Sequence, residues 1–227
     1  PTTLYSILNN INTAAINIMT MEEPVEYPMP MIRQTSINAA AKMDFAEGIR
    51  SMVRQDPDVI LVGELRDLET MEAAVTAAET GHLVFGTLHT TGCQGTINRI
   101  IDAFPVSQQE QIRVQLSTNL IAVLSQTLCP LKVGKGRAAA FEFMVVTPAI
   151  ANLIRENKVY RIESSIQTGK NVGMQLLDDH LWELYDADRI SLEELIEKAR
   201  SPSAMLEKAE KRAGSAGLGD VVEVLKA

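Results

Sequence analysis

The sequence has little cysteine and no long apolar run, and each shortage excludes a class of protein. Its two cysteines, Cys93 and Cys129, are too few and too isolated for a disulfide scaffold or a four-cysteine zinc site, which indicates a reducing compartment. No apolar run approaches the ~20 residues that a membrane-spanning helix requires, and no signal-peptide pattern occurs. We therefore expect a soluble, cytoplasmic protein.

Positive charge is also in deficit. The chain carries 21 lysine and arginine residues against 29 aspartate and glutamate residues, which gives a formal net charge of −8. Nucleic acid is therefore not expected as a partner, because phosphate binding normally leaves a concentrated basic surface. With 227 residues, 46% of them hydrophobic, the chain can still bury a substantial core.

Residues 55–92 predict a strand, a helix and a second strand in succession. The apolar run at residues 59–62 is typical of a strand buried on both faces. Asp67 is placed to cap the helix, which ends at Gly81, and a second apolar strand opens at His82. Two buried strands joined by a helix form a right-handed parallel unit, so both strands end at the same edge of the sheet, where such sheets bind ligands.

Polar residues follow both strands at that edge. Glu64 and Arg66 come after the first strand, and His89 comes after the second. A strand that ends in Gly-Glu suits a nucleotide hydrolase, because the carboxylate can orient or deprotonate a water molecule beside a metal-bound terminal phosphate. The alternative is that Glu64 and Arg66 form only a solvated turn, as is common in parallel sheets.

Two segments of this stretch resemble motifs of the ATPase family that powers type IV pili and type II secretion. The family's Walker B box is similar to LVGELRD at residues 61–67, and its histidine box is similar to GHLVFGTLHTTG at residues 81–92. Matching segments run from about Thr2 to the neighbourhood of Pro202. The resemblance implies an α/β fold, in which a RecA-like P-loop NTPase core with a mostly parallel sheet is followed by a small all-α C-terminal domain. It also implies ATP and Mg²⁺ as cofactors and assembly into a homohexamer.

An acidic segment is the second part of the implied site. Residues 22–26, EEPVE, follow a short apolar strand and resemble the family's Asp box, with Glu23 where an aspartate is usual. The resemblance makes Glu64 the principal base, Glu26 a second catalytic carboxylate and His89 a polar contact of the terminal phosphate, with Mg²⁺ near the two carboxylates. Without the resemblance, residues 22–26 indicate only an acidic, solvated loop.

Further side chains are candidates for contacts with nucleotide, Mg²⁺ or a neighbouring subunit. Arg50 and Arg54 lie four residues apart on a helix that Asp44 and Glu47 are expected to cap, so the two arginines share an outward face. A guanidinium there can reach a phosphate or another subunit, or it can only solubilise the helix. The complete set of these candidates is Glu22, Glu23, Arg50, Arg54, Arg66, Asp67, His82, Thr87 and Thr90.

The histidines do not predict a zinc site. His82 and His89 are seven residues apart, an odd offset that sends side chains of a regular strand to opposite faces, and Cys93 adds no close ligand pair. The resemblance makes His82 a structural or relay residue at a subunit interface, with a core histidine as the alternative.

The remaining patterns suggest secondary structure and domain limits. We expect a strand over 15–21 and an irregular loop or β-hairpin over 27–41. A helix over 94–104 is followed by a second helix, which Ser107 and Glu110 cap and which turns Leu120 and Leu124 inward. The last strands are expected over 126–131 and 138–146. The RecA-like domain then spans residues 1–146 and the helical domain residues 147–202. For the tail over 203–227, disorder apart from a short helix is expected.

The helical domain favours one branch of the family. Pro148 suits a helix N1 position after Thr147. Residues 149–156, AIANLIRE, resemble a motif of pilus retraction ATPases, with Ala151 where arginine is common. Three candidates to contact an inner-membrane platform protein of the pilus machinery are Asn152, Arg155 and Lys158, although such helix charges are often only solvated. The protein would then associate peripherally with the cytoplasmic face of the inner membrane.

Three functions remain open. The first is an ATP-hydrolysing motor for pilus retraction and twitching motility. The second is an ATPase for pilus assembly or type II secretion. The third is an inactive subunit that only packs into a ring. In the family, a glycine-rich phosphate loop precedes the segment that residues 2–6 match. Its glycines and lysine are not among these 227 residues, so we expect this chain alone to bind ATP weakly and not to hydrolyse it.

Overall fold

The computed structural model describes residues 2–37 and 44–213. Their contacts group them into two compact units, the first with residues 2–37, 44–89 and 98–120 and the second with residues 90–97 and 121–213. The division into a nucleotide domain over 1–146 and a helical domain over 147–202 stays a prediction.

A parallel four-stranded sheet forms the centre of the first unit. Its strands lie in the order β2 (Ile32–Ser36), β1 (Ile18–Glu22), β3 (Val59–Val62) and β4 (Leu83–Gly86), and every neighbouring pair is parallel. All residues of β1 and β3 are buried, since both strands are central and covered on both faces. The predicted α/β class with a mostly parallel sheet is therefore confirmed.

Alternate residues of the central strands divide between two cores, because successive side chains of a strand point to opposite faces. On one face, Met21 and Ile60 pack with α2 (Phe45–Val53) and α3 (Leu68–Glu79). On the other face, the neighbouring strand residues pack with Tyr5 and Leu8 of the helix α1 (Thr2–Ile11). A further helix, α5 (Gln109–Asn119), contacts α3.

Two predicted helix caps are confirmed in this unit. The Asp44 carboxylate accepts the backbone N–H of Glu47 at 2.7 Å at the start of α2. The Asp67 carboxylate accepts the backbone N–H of Thr70 at 2.8 Å at the start of α3. Each cap satisfies one of the N–H groups that the first turn of a helix leaves without a partner.

An antiparallel pair of strands and several helices form the second unit. The strands are β5 (Ala122–Pro130) and β6 (Arg137–Val145), which pair along nine residues. The helices are α6 (Pro148–Arg155), α7 (Ile162–Thr168), α8 (Leu177–Asp186), α9 (Leu192–Lys198) and α10 (Pro202–Ala213). In the helix α4 (Gly92–Asp102), residues 92–97 belong to the second unit and residues 98–102 to the first.

The inward residues of this unit form a separate core. Ala140 of β6 packs with Leu181 of α8, Leu195 of α9 and Ala209 of α10, and all four side chains are fully buried. The predicted start of α6 is confirmed, because the Thr147 hydroxyl accepts the backbone N–H of Ile150 at 3.4 Å and proline occupies the first turn.

Three local predictions are wrong. The loop or hairpin over 27–41 contains β2, which pairs in parallel with β1, while residues 38–41 lie outside the described ranges. Ser107 belongs to a 3-10 turn at Val106–Gln108 and does not cap α5. Because α5 ends at Asn119, Leu120 and Leu124 are not on its inward face, and Leu124 is instead a half-exposed residue of β5.

The end of the chain contains the short helix that the sequence allowed. This helix is α10, and residues 214–227 lie outside the described ranges. Across the part of the chain that the structure describes, every helix is too short or too polar to cross a membrane.

Candidate functional site

The carboxyl ends of β1, β3 and β4 lie at one edge of the sheet, because the parallel pairs stay in register up to Met21, Val62 and Gly86. Backbone hydrogen bonds continue beyond the strands. The Gly63 N–H donates to the Met21 carbonyl at 2.7 Å, and the Leu65 N–H donates to the Thr87 carbonyl at 2.9 Å. The Thr87 hydroxyl in turn donates to the Gly63 carbonyl. The residues on both sides of Glu64 are therefore fixed to the neighbouring strands.

Glu64 is the centre of a charged cluster at this edge. Its Oε2 lies 2.7 Å from Nε of Arg66, and its Oε1 lies 3.2 Å from Nε2 of His89. Arg66 also places Nη1 3.3 Å from Oε2 of Glu23. The Glu64 side chain is 17% exposed, whereas those of Arg66 and His89 are 60% and 84% exposed. The carboxylate thus lies at the bottom of the cluster, and the structure brings together four of the predicted site residues.

The cluster controls the protonation of its central carboxylate. The hydrogen bond from Arg66 lowers the pKa of Glu64 below its ordinary value, against the opposing effect of burial, and the charges of Arg66 and His89 lower it further. In return, Glu64 raises the pKa of Arg66. Glu64 is therefore ionised at neutral pH, which is the form that a general base requires. A water molecule that reaches either carboxylate oxygen has to displace Arg66 or His89.

Glu22, the last residue of β1, is buried and satisfied by neutral donors. It accepts hydrogen bonds from the Tyr5 hydroxyl, from the Thr20 hydroxyl at 2.5 Å and from the Gln34 amide at 3.3 Å. Burial, followed by the hydrogen bond to Glu22, raises the pKa of Tyr5 to about 12. Because these bonds use the carboxylate, Glu22 is better placed to hold α1 and β2 against β1 than to contact a nucleotide.

Glu26 is exposed and is not joined to the cluster. Its backbone N–H donates to the Tyr5 hydroxyl oxygen at 3.4 Å. Within residues 2–37 and 44–213, its carboxylate forms no hydrogen bond or ion pair, either with Glu64 or with another side chain. The pairing of Glu26 with Glu64 at one metal ion therefore stays a prediction.

The predicted residue Thr90 belongs to the turn that opens α4. Its hydroxyl lies 2.8 Å from the hydroxyl of Thr96, which donates to the Gly92 carbonyl at 2.8 Å. These bonds fix the turn to the first turn of α4. The Thr90 hydroxyl therefore has a hydrogen-bond partner in the second unit, and the Thr87 hydroxyl has one in the first unit, the Gly63 carbonyl.

His82 lies at the opposite edge of the sheet from Glu64. Its Nδ1 is 2.8 Å from the Ala77 carbonyl and 3.2 Å from the Thr80 hydroxyl. The argument that placed His82 and His89 on opposite faces of one strand is wrong, because β4 covers only residues 83–86 and neither histidine is within it. The two histidines instead lie beyond opposite ends of β4. These contacts are local, so the role of His82 at a subunit interface and the core-histidine alternative both stay predictions.

The remaining basic and acidic candidates lie apart from the cluster. Arg50 is exposed on α2, and Arg54 is the C-cap residue of the same helix. Neither guanidinium forms an ion pair with any described residue. Asp67 caps α3 through one carboxylate oxygen. A role for these three residues at a nucleotide or at a neighbouring subunit stays a prediction.

The candidate partner residues form a local network at the end of α6. The Asn152 amide donates to Glu156 at 2.9 Å, and Arg155 donates to the Asn152 side-chain oxygen at 3.2 Å. Lys158 lies 2.6 Å from the other carboxylate oxygen of Glu156. Lys158 lowers the pKa of Glu156, and Asn152 adds to this effect. The network holds Asn152, Arg155 and Lys158 together on one exposed surface.

The sequence pattern of a known family decides where this chain belongs. The family described as "Type II/IV secretion system protein" matches residues 1–133, which is more than half of the chain. The chain belongs to this family. One relative, the "Type IV pilus retractation ATPase PilT" of Pseudomonas aeruginosa, is 48% identical over 206 residues, covering 88% of this chain and 59% of that protein. The "Twitching motility protein" of Neisseria gonorrhoeae is 45% identical over 209 residues, covering 90% of this chain and 56% of that protein.

Solved structures of secretion-family ATPases have the same fold. The "Pilus Retraction Motor PilT and Bound ADP" matches with a TM-score of 0.80 and 42% identity, covering 89% of this chain and 58% of that one. The ATPase DotB of Legionella pneumophila matches with a TM-score of 0.73 and 26% identity, covering 86% of this chain and 55% of that one. The predicted RecA-like fold is confirmed. The chain spans a little over half the length of these relatives.

Two contacts near the family's motifs were missed by sequence reasoning. The first is the bond between Tyr5 and Glu22, whose partners are 17 residues apart and carry no pairing signal. The second is the ion pair of Glu142, a buried residue of β6, with Arg200. Here a signal was present, because a charged residue occupies an inward position of an otherwise apolar alternation.

Proposed function

We propose that this chain is the principal part of an ATP-hydrolysing hexameric motor that drives type IV pilus retraction and twitching motility. It acts at the cytoplasmic face of the inner membrane, where it associates peripherally with a platform protein of the pilus machinery. The observation that carries this proposal is the extent of the similarity. The retraction and twitching relatives match 88% and 90% of the chain, whereas the type II secretion protein E of Dickeya dadantii, also 48% identical, matches 57%.

Glu64 is the proposed general base for the attacking water. Three features support this role: its position at the end of a buried strand, its 17% exposed carboxylate and its lowered pKa. An ionised carboxylate held in a fixed position can accept a proton as the water attacks a terminal phosphate. His89 contacts the same carboxylate from the next strand, so it is placed to hold the base or to contact the phosphate.

Mg²⁺ is the proposed metal cofactor, and ATP is the proposed substrate. Mg²⁺ prefers oxygen ligands and commonly uses one or two carboxylates together with water molecules and phosphate oxygens. Glu26 fits this requirement because its exposed carboxylate has no partner in the described ranges, whereas both oxygens of Glu64 contact Arg66 and His89. We assign the metal to Glu26 first and to Glu64 only after Arg66 or His89 is displaced. Glu23, Arg50, Arg54 and Thr87 are proposed as supporting contacts to nucleotide or neighbouring subunit.

The helical segment over 147–202 is proposed as the part that faces the membrane machinery. The exposed network of Asn152, Arg155 and Lys158 is the surface assigned to the platform protein. An exposed charged surface of this kind can select a partner by electrostatic complementarity.

Phosphate release tests the enzymatic part of the proposal. A protein in which a glycine-rich loop ending in Gly-Lys-Thr is joined directly before Thr2 should release phosphate from ATP only with Mg²⁺. The matched control replaces the lysine of that loop by alanine, which removes the charge that reaches the terminal phosphates. A folded, hexameric protein that releases no phosphate above the control would contradict the proposal and favour an inactive ring subunit.

Complementation tests the cellular part. The same protein should restore twitching in a strain that lacks its retraction ATPase and should not restore secretion in a strain that lacks its type II secretion ATPase. The opposite result would assign the chain to the secretion branch of the family.

A further inference from the structure

The turn between β5 and β6 carries a basic surface on an acidic chain. Residues 131–137, here called the hairpin tip, contain Lys132, Lys135 and Arg137, and all three are exposed. Arg189, which is also exposed, lies beside the tip, because its carbonyl accepts the Lys132 N–H at 2.8 Å. The chain as a whole has a net charge of −8, so four cations together are a local concentration of positive charge.

Three of these four cations have no acidic partner. Lys132 is paired with Asp188 at 2.9 Å, and its hydrogen bond lowers the pKa of Asp188. The side chains of Lys135, Arg137 and Arg189 form no hydrogen bond or ion pair with any described residue. Unpaired surface cations are often only solvated, so the charge alone does not identify a partner.

An exposed aliphatic side chain lies between the cations and narrows the choice of partner. Val133 is 81% exposed, and only Gly134 separates it from Lys135. The φ angles of Gly134 and Gly136 are +88° and +132°, in the region that glycine adopts without strain. The Leu131 N–H donates to the Gly136 carbonyl at 3.2 Å and closes the turn. The tip is therefore a defined turn that presents an apolar group together with positive charge.

This combination fits a lipid surface better than a soluble polyanion. At an anionic bilayer, lysine and arginine contact headgroup phosphates while an apolar side chain reaches the acyl boundary. A nucleic acid would leave Val133 in water, and the tip has no aromatic ring on which a base could stack. We propose that the hairpin tip and Arg189 bind the surface of an anionic phospholipid bilayer, with phosphates at Lys135, Arg137 and Arg189 and with Val133 in the interface.

This contact adds lipid as a direct partner of the chain. Its cellular meaning rests on the proposed function, which places the motor at a membrane, whereas the contact itself requires neither ATP nor a platform protein. Each cation near an anionic surface strengthens binding by about fivefold, so a single tip binds weakly. Several tips in one oligomer would bind the same surface more tightly, because each later contact becomes intramolecular.

Vesicle sedimentation tests the charged part of the surface. The 227-residue chain should sediment with vesicles of equimolar phosphatidylcholine and phosphatidylglycerol, should not sediment with phosphatidylcholine alone, and should be released by salt. Lys135→Gln with Arg137→Gln should weaken binding by ~10-fold or more, and Arg189→Gln alone by ~5-fold. The matched control is Arg33→Gln with Arg113→Gln, which removes the same charge from the first unit and should change binding by less than ~2-fold.

Val133 distinguishes a bilayer from a soluble polyanion. Val133→Ser keeps every charge and should weaken binding to the mixed vesicles by ~3-fold or more, because the inserted apolar group is lost. The same variant should bind inorganic polyphosphate as the parent does. Unchanged vesicle binding by Val133→Ser would make the tip a site for soluble polyanions and would overturn the membrane assignment.

Two further outcomes would overturn the inference. One is the absence of binding to the mixed vesicles both by this chain and by the protein with the phosphate loop. The other is equal weakening in the tip variants and in the control. Urea unfolding should be unchanged by each tip substitution, since these side chains are exposed, and Arg189→Gln decides independently if a tip variant does not fold. Phosphate release without vesicles tests the proposed function separately, so a hexamer that hydrolyses ATP but ignores vesicles contradicts only the lipid contact.

Discussion

His89 Nε2 lies 3.2 Å from Oε1 of Glu64, so a contact between two side chains joins the ends of β3 and β4. The two residues differ sharply in exposure, with 84% of the histidine side chain and 17% of the carboxylate side chain open to solvent. The exposed partner can move with little loss of packing, whereas the carboxylate is fixed by its neighbours in the turn. The contact therefore leaves Glu64 positioned and allows His89 to be exchanged for a water molecule or a phosphate.

Replacing Glu64 by glutamine should remove the base and keep the shape. In the protein with the phosphate loop, Glu64→Gln should lower kcat by ~10²-fold or more, the typical effect of losing general-base catalysis, with little change in nucleotide affinity. Phosphate release and equilibrium nucleotide binding are the two measurements. The control is Glu69→Gln, an exposed carboxylate in the first turn of α3. Equal losses of affinity and kcat would make Glu64 a binding residue.

Replacing Arg66 should change the pH dependence of turnover. Arg66 lowers the pKa of Glu64, so Arg66→Gln should raise that pKa, and the acid limb of the kcat/KM profile should move to higher pH. Fold stability also depends on this pKa. Because the pKa of Glu64 is lowered in the folded protein, the ionised carboxylate stabilises the fold at pH values above the ordinary glutamate pKa, and this contribution is lost as the pH falls through the lowered pKa.

The matched control for this prediction is Arg113→Gln on α5, which removes a guanidinium elsewhere in the first unit and should leave the acid limb where it is. An acid limb that stays in place in Arg66→Gln, or that moves to lower pH, would show that Glu64 is not the titrating base.

Local chemistry made part of the fold predictable. The buried strand at 59–62 and the caps at Asp44, Asp67 and Thr147 depend on residues within a few positions of one another. β2 could not be predicted in this way, because its residues Arg33, Gln34 and Thr35 are polar and its pairing with β1 is set by distant parts of the chain. Edge strands of this kind lack the apolar run that identifies a central strand.

The candidate site also has a part that local sequence could predict and a part that it could not. Glu64, Arg66 and His89 could be predicted because each immediately follows or lies near the end of an apolar strand. The ion pair of Glu142 with Arg200 joins residues far apart in the sequence, and only the inward position of Glu142 in β6 gave a signal. Partner identity in such a pair depends on tertiary packing that the sequence pattern does not express.

Gly63 should be intolerant of a side chain, while Gly95 should accept one. A Cβ atom on Gly63 would lie 3.0 Å from the Met21 carbonyl oxygen and 3.1 Å from the Glu22 Cα, both of them backbone atoms that cannot rotate away. Gly63→Ala should therefore lower the free energy of unfolding by ~1–3 kcal/mol. Gly95→Ala, in α4, where the added carbon meets no atom within 4 Å apart from its chain neighbours and the backbone of its own helix, should raise it by ~0.5–1 kcal/mol. Urea unfolding measures both, and changes of the same sign would contradict the prediction.

Charge reversal at Arg155 should separate retraction from hydrolysis. Its guanidinium donates a hydrogen bond to the side chain of Asn152 and forms no ion pair with a described residue, so in the protein with the phosphate loop Arg155→Glu should leave ATP turnover within ~2-fold. If the surface at the end of α6 binds the platform protein, twitching should be lost in cells that express this variant. Lys211→Glu on α10 is the control and should keep both activities. Normal twitching with Arg155→Glu would remove this residue from the partner surface.

Tyr5 should stabilise the first unit through its hydroxyl group. The hydroxyl donates to the buried carboxylate of Glu22, and a hydrogen bond to a charged group contributes ~1.5–3 kcal/mol, so Tyr5→Phe should lower the free energy of unfolding by this amount at neutral pH. The control is Tyr160→Phe, since that ring is 69% exposed, and it should change stability by less than ~0.5 kcal/mol.

The same bond predicts a dependence on alkaline pH. The pKa of Tyr5 is raised to about 12, so the stabilisation is fully present below the ordinary tyrosine value near ~10 and is lost as the pH rises through the raised pKa. Urea unfolding at increasing pH should show a loss of stability over this window that is absent from Tyr5→Phe and present in Tyr160→Phe. An identical alkaline loss in all three proteins would mean that the Tyr5 hydroxyl does not contribute to the stability of the fold.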